Sequence, residues 1–119
     1  MSCRVLVIED EVIVGMMVED MLAELGCEVA AIATHFSQAL ELARTAAVDF
    51  AVLDVNLNGK QSFPIADMLA ARGIPFAFAT GYGTKALGGR YISAPTLQKP
   101  FQIEDLAAVL RRYALIAAG

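Results

Sequence analysis

Short apolar runs that do not alternate are what most restrict the fold of this chain. Val5–Ile8, Phe50–Leu53 and Pro75–Ala79 are apolar throughout, and Glu28–Ala33 is apolar after its first residue. A strand with one face in water alternates, whereas a strand apolar on both sides is covered on both. Between these runs the period becomes helical. From Glu11 to Leu25, Val14, Val18, Met21, Leu22 and Leu25 share one helical face, and Gly26 supplies the stop. Phe36–Ala46, Ser62–Arg72 and Gln102–Ala117 read as helices too. Leu40 and Ala43 face inward in the first of these; Leu106, Val109, Leu110 and Tyr113 do so in the last. Pro95–Gln98 is a fifth strand, and its leading proline predicts a sheet edge. Asn56–Gly59 is loop chemistry, and Gly83, Gly88 and Gly89 keep any helix over 83–89 short. The pattern is five βα units. It predicts an α/β chain with a doubly wound, five-stranded parallel sheet and helices on both faces.

Composition narrows the function classes. The 119 residues suit one domain, 1–119. With 57% apolar and 18% charged residues the chain is not a disordered tail. A net charge of -4 argues against nucleic acid as a direct partner, which demands a basic surface. No signal peptide or membrane span is legible, so a soluble, cytoplasmic protein is expected, with Cys3 and Cys27 as buried, reduced thiols.

The strand ends carry the chemistry. Ligand sites in open parallel sheets lie beyond the carboxyl ends of the strands. Those ends offer Glu9 and Asp10, then Asp54, Thr80 and Lys99. Crowded carboxylates repel, and a hard divalent cation such as Mg2+ compensates them with oxygen ligands. Lys99 is a movable point charge suited to a phosphoryl oxygen, and Thr80 offers a hydroxyl. An aspartate in that company can accept a phosphoryl group, so the residues read as metal-assisted phosphoryl transfer onto Asp54. Each residue alone could instead cap a helix or turn. Lys99 is the exception, being unfavourable to a helix dipole at that end.

Val5-Leu6-Val7-Ile8-Glu9-Asp10-Glu11, Val52-Leu53-Asp54, Ala79-Thr80-Gly81 and Gln98-Lys99-Pro100-Phe101 together resemble the receiver domain of bacterial two-component response regulators. The resemblance covers essentially the whole chain. It implies a flavodoxin-like fold with strand order 2-1-3-4-5 and Asp54 as acceptor of phosphate from a histidine kinase or phosphotransfer protein. It further implies Mg2+ held by Asp10, Asp54 and the backbone carbonyl of Asn56, with Glu9 acting through water. Lys99 would pair with the phosphoryl group, Thr80 would move to bind it, and the Lys99–Pro100 peptide would be cis. Phe78-Ala79-Thr80-Gly81-Tyr82 resembles the FATGUY subgroup of stand-alone receivers. Asn56 and Tyr82 would then flank the path of hydrolytic water, and a tyrosine there predicts slow loss of the phosphoryl group. In most receivers an aromatic three positions before the lysine swings inward on activation; here that position is Thr96.

Other readings fare worse. A haloacid dehalogenase-like phosphatase wants a second aspartate two residues after its nucleophile, where Asn56 stands. A flavin carrier wants a hydroxyl- and glycine-rich phosphate loop where Glu9-Asp10-Glu11 stand. His35, the only histidine, reads as a solvated loop residue. The chain ends after its last helix with no DNA-binding segment, as a stand-alone receiver or a fragment of a longer regulator would. Stepping 100° per residue from Val18 turns Val12, Ile13, Met16 and Met17 outward. Exposed apolar residues beside the acidic site predict that the kinase docks near Ile13, Val14, Met16 and Met17. The downstream protein is not legible.

Overall fold

The computed structural model describes residues 3–81, 87, 91 and 93–117. The elements in chain order are β1 (Arg4–Ile8), α1 (Val12–Glu24), β2 (Glu28–Ala33), α2 (Phe36–Thr45), β3 (Phe50–Asp54), β4 (Asn56–Leu57), β5 (Lys60–Gln61), α3 (Phe63–Ala71), β6 (Phe76–Thr80), β7 (Thr96–Gln98) and α4 (Ile103–Arg112). Five strands form one sheet in the order β2-β1-β3-β6-β7, and every pairing in it is parallel. Counting only those five, this is the flavodoxin-like order 2-1-3-4-5, with β7 at the edge as Pro95 predicts.

The runs in β1, β3 and β6 are buried on both sides, whereas β2, at the sheet edge, is only half-buried from Val29 to Ile32. Val5, Leu6, Val7 and Ile8 are each at most 1% exposed. Leu6, Ile8 and Leu53 pack with Ala39 and Ala43 of α2 and Ile65 and Leu69 of α3 on one face. Val5, Val7 and Val52 pack with Val18 and Leu22 of α1 and Leu106 and Leu110 of α4 on the other. Burying each of the Val, Leu and Ile side chains among these contributes about 1.5–3 kcal/mol. Cys3 and Cys27 lie in this second core as free, buried thiols. No described helix is long and apolar enough to cross a membrane.

Two segments differ from the sequence expectation. The Asn56–Gln61 stretch is a small antiparallel hairpin, β4 against β5, rather than plain loop. The last helix stops at Arg112 instead of running to Ala117, because Ala114 turns to φ 56° and Leu115 and Ile116 fold back onto the core. The expectations for Tyr82 and for a short helix over 83–89 fall outside the described residues, Leu87 apart.

Candidate functional site

Parallel strands deliver their last residues to one edge, so sequence distance disappears there. Glu9 and Asp10 follow β1, Asp54 ends β3, Thr80 ends β6 and Lys99 follows β7. The backbone pins these ends. The Glu9 N–H donates to the Ala33 carbonyl at 3.0 Å, and the Lys99 N–H donates to the Thr80 carbonyl at 2.9 Å. The Lys99–Pro100 peptide is cis, as expected.

The side chains meet. One oxygen each of Glu9, Asp10 and Asp54 lie within 4.8 Å of one another. Lys99 Nζ donates to Glu9 Oε1 at 2.6 Å and to Asp54 Oδ2 at 3.2 Å. Glu9, Asp54 and Thr80 are buried, and Asp10 is half-buried at the rim. Glu9 Oε2 accepts the Glu11 N–H at 3.1 Å, and Asp10 Oδ2 accepts the Asn58 N–H at 3.0 Å.

Among the described residues, three carboxylates face one ammonium at this edge, so the cluster is acidic once they ionise. Burial pushes the Glu9 carboxyl up to about 7, against the pull of Lys99 and the Glu11 N–H. Burial also raises Asp54, opposed by Lys99. For Asp10, burial is outweighed by the Asn58 N–H and Glu9, and its carboxyl lies below its usual value. For Lys99, burial is outweighed by Glu9 and Asp54, so the ammonium holds its proton more tightly. An acidic, oxygen-only cluster suits a hard divalent cation.

Sequence reading found every member of this cluster and missed its supports. Ser62, fully buried, donates its hydroxyl to the Asp54 backbone carbonyl at 2.5 Å. Asn58 reaches Asp10 through its backbone N–H; the Asn58-Gly59 dipeptide, a hairpin-turn signature, was the available signal. Asn56 is exposed, and its side-chain oxygen accepts the Gly59 N–H at 3.0 Å. Thr96, at the position three before Lys99, keeps its Oγ1 buried and without a hydrogen-bond partner among the described residues. Tyr91 stacks on Phe63 and packs its ring against Phe76 and Phe78.

The outward face of α1 is apolar as expected. Val12 is 62% exposed, Ile13 74%, Met16 55% and Met17 49%. Val14 is half-buried instead. It lines a cavity of about 310 Å³ between α1 and the Lys99–Phe101 segment, together with Met17, Val18, Met21 and Phe101.

Comparison with known proteins gives a consistent answer. A profile of the family described as response regulator receiver domain matches residues 5–111. SdrG from Sphingomonas melonis Fr1 is 39% identical and superposes with a TM-score of 0.83, over 92% of this chain and 94% of that one. The BeF3-activated conformation of SdrG, from Pseudomonas melonis Fr1, is 38% identical at a TM-score of 0.79, over 98% and 100% of the two chains. The transcriptional regulatory protein PdtaR of Mycobacterium tuberculosis is 33% identical over 107 residues, 87% of this chain and 52% of that protein. The chain thus spans about half the length of that curated relative.

Proposed function

The chain belongs to the response regulator receiver domain family, a signalling domain of two-component systems rather than a classical enzyme, and from that premise we propose that it carries its phosphoryl group on Asp54. The observation that carries this reading is the Lys99 ammonium held between Glu9 and Asp54 at the edge where three carboxylates meet.

The step is a displacement at phosphorus. An Asp54 carboxylate oxygen forms a bond to phosphorus while the phosphorus–nitrogen bond of a donor phosphohistidine breaks, and the electron pair leaves on the imidazole. Lys99, already 3.2 Å from Asp54 Oδ2, pairs with a phosphoryl oxygen. The Thr80 hydroxyl donates to another. Ser62 holds the backbone from which Asp54 attacks. Asp10, Asp54 and the Asn56 carbonyl are the residues that would hold Mg2+, with Glu9 reaching it through water. The cation would spread the charge that develops on the transferring group. The fit rests on the excess of carboxylates over ammonium among the described residues and on the all-oxygen donor set. The protein catalyses its own phosphorylation and its own dephosphorylation, and residues 1–119 act as one receiver domain in the cytoplasm.

The donor, a histidine kinase or phosphotransfer protein, docks on Ile13, Val14, Met16 and Met17. Support comes from the exposed side chains of α1 and the adjoining cavity, which opens beside Lys99. A downstream protein then reads the phosphorylated surface; nucleic acid is not its direct partner, given the net charge of -4. Similarity to a BeF3-activated receiver supports a form of this fold that responds to occupation of the site.

Incubation with a small-molecule phosphodonor and Mg2+, read by intact mass, tests the reading. The wild type gains one phosphoryl group, and Asp54→Asn or excess chelator abolishes the gain. A full-strength adduct in Asp54→Asn overturns it.

A further inference from the structure

Asp10 is the rim carboxylate of the cluster, half-buried where Glu9 is 3% and Asp54 8% exposed. A side chain at an open rim samples several rotamers unless something fixes it. The Asn58 N–H does so, donating to Asp10 Oδ2 at 3.0 Å from 48 residues away. That N–H is aimed by the turn between β4 and β5. Asn58 has φ 52° and Gly59 φ 81°, the positive values a two-residue type I′ turn requires and asparagine tolerates. The turn is fastened in its turn: Asn58 Nδ2 donates to the Thr34 carbonyl at 2.8 Å, just past the end of β2. One residue therefore clips the hairpin tip to the β2–α2 connection with its side chain and to the acidic cluster with its backbone.

We propose that Asn58 is a positioning residue for the cluster: its amide fixes the hairpin tip, the tip fixes the Asp10 carboxylate, and the fixed carboxylate strengthens the hold on a divalent cation. This rests on the reading above that the cluster binds Mg2+. A merely structural role for Asn58 would support the hairpin and leave cation affinity unchanged.

The Mg2+ dissociation constant, measured without phosphodonor from amide NMR shifts of folded protein, separates the two. Asn58→Gly tolerates the positive φ, keeps the backbone N–H and removes the clip to Thr34, together with the restraint that an asparagine side chain places on the turn. It should raise the dissociation constant about three- to tenfold, the scale of one net hydrogen bond. The Mg2+ concentration for half-maximal phosphorylation should rise by the same factor. Lys60→Ala, in the same hairpin but with its ammonium over the Phe36 ring, should leave both at wild-type values. In the wild type, the backbone and side-chain amides of Asn58 should both shift with the same dissociation constant as the cluster. Wild-type affinity in Asn58→Gly, equal weakening in Lys60→Ala, or a stationary Asn58 side-chain amide each overturns the proposal. A wild type that shows no saturable Mg2+ binding overturns the cation site itself, and the proposal with it.

Discussion

The Lys99 ammonium stands 2.6 Å from Glu9 Oε1, closer than the 3.2 Å that separates it from Asp54 Oδ2. Its charge is committed first to a glutamate whose side chain is 4% exposed, and only second to the proposed acceptor. The lysine is thus both a support for buried charge and a group ready to follow new charge on Asp54.

Removing that ammonium strands Glu9, and the damage should depend on pH. Below its raised pKa of about 7 the Glu9 carboxyl takes a proton and needs no counter-ion. Lys99→Ala should therefore lose about 1.5–3 kcal/mol at pH 8, the scale of a hydrogen bond to a charged group, and distinctly less at pH 5. Urea unfolding at the two pH values measures it; equal losses would contradict the pairing.

The same glutamate should tilt the stability of the wild type in chelator. The unfolded side chain loses its proton near 4.5 and the folded one only near 7. Between these values the native state binds more protons, so stability falls as pH rises across that window. Raised Asp54 adds to the slope. Glu9→Gln should flatten it, as seen in the urea midpoint between pH 4.5 and 7. An unchanged slope would show that Glu9 titrates normally.

Ser62 should matter beyond its size. Its hydroxyl satisfies the Asp54 carbonyl from a fully buried position. Ser62→Ala leaves that carbonyl without this donor and should cost about 1–3 kcal/mol by thermal or urea unfolding. A loss too small to resolve would mean that another donor replaces it.

The strand ends were legible because burial on both faces leaves nothing but apolar residues until the chain emerges, so Ile8 and Leu53 mark where chemistry begins. Glu9, Asp54 and Thr80 follow from that rule; Lys99 does not, since β7 is Thr-Leu-Gln with only Leu97 buried, and the Lys99-Pro100 motif marks it instead. The strands of the β4–β5 hairpin carry no periodicity, at two residues each, and only the Asn58-Gly59 turn signature pointed to it. The end of α4 was not legible. Tyr113–Ala117 contains no glycine or proline stop, and the break comes from Leu115 and Ile116 finding core contacts. Asn58 and Ser62 act by hydrogen bonds across 48 and 8 residues, a relation that exists only after folding.

The outward face of α1 should matter for a protein donor and not for a small one. Ile13→Glu combined with Met17→Lys alters side chains 74% and 49% exposed, so the fold should survive. Phosphotransfer from the cognate kinase should fall at least about tenfold, the loss expected of anchors worth more than 1 kcal/mol each. Phosphorylation by a small-molecule donor should be unchanged. Equal rates from both donors in the folded variant would place docking elsewhere.

Asp54 as the site of the acyl phosphate is tested most directly by borohydride reduction of the phosphorylated protein, followed by peptide mass mapping. Reduction of an aspartyl phosphate leaves homoserine at the modified position, and the account predicts homoserine at residue 54, dependent on Mg2+ and absent from Asp54→Asn. Homoserine at residue 10 or 49 instead, or an adduct that resists borohydride, would contradict it.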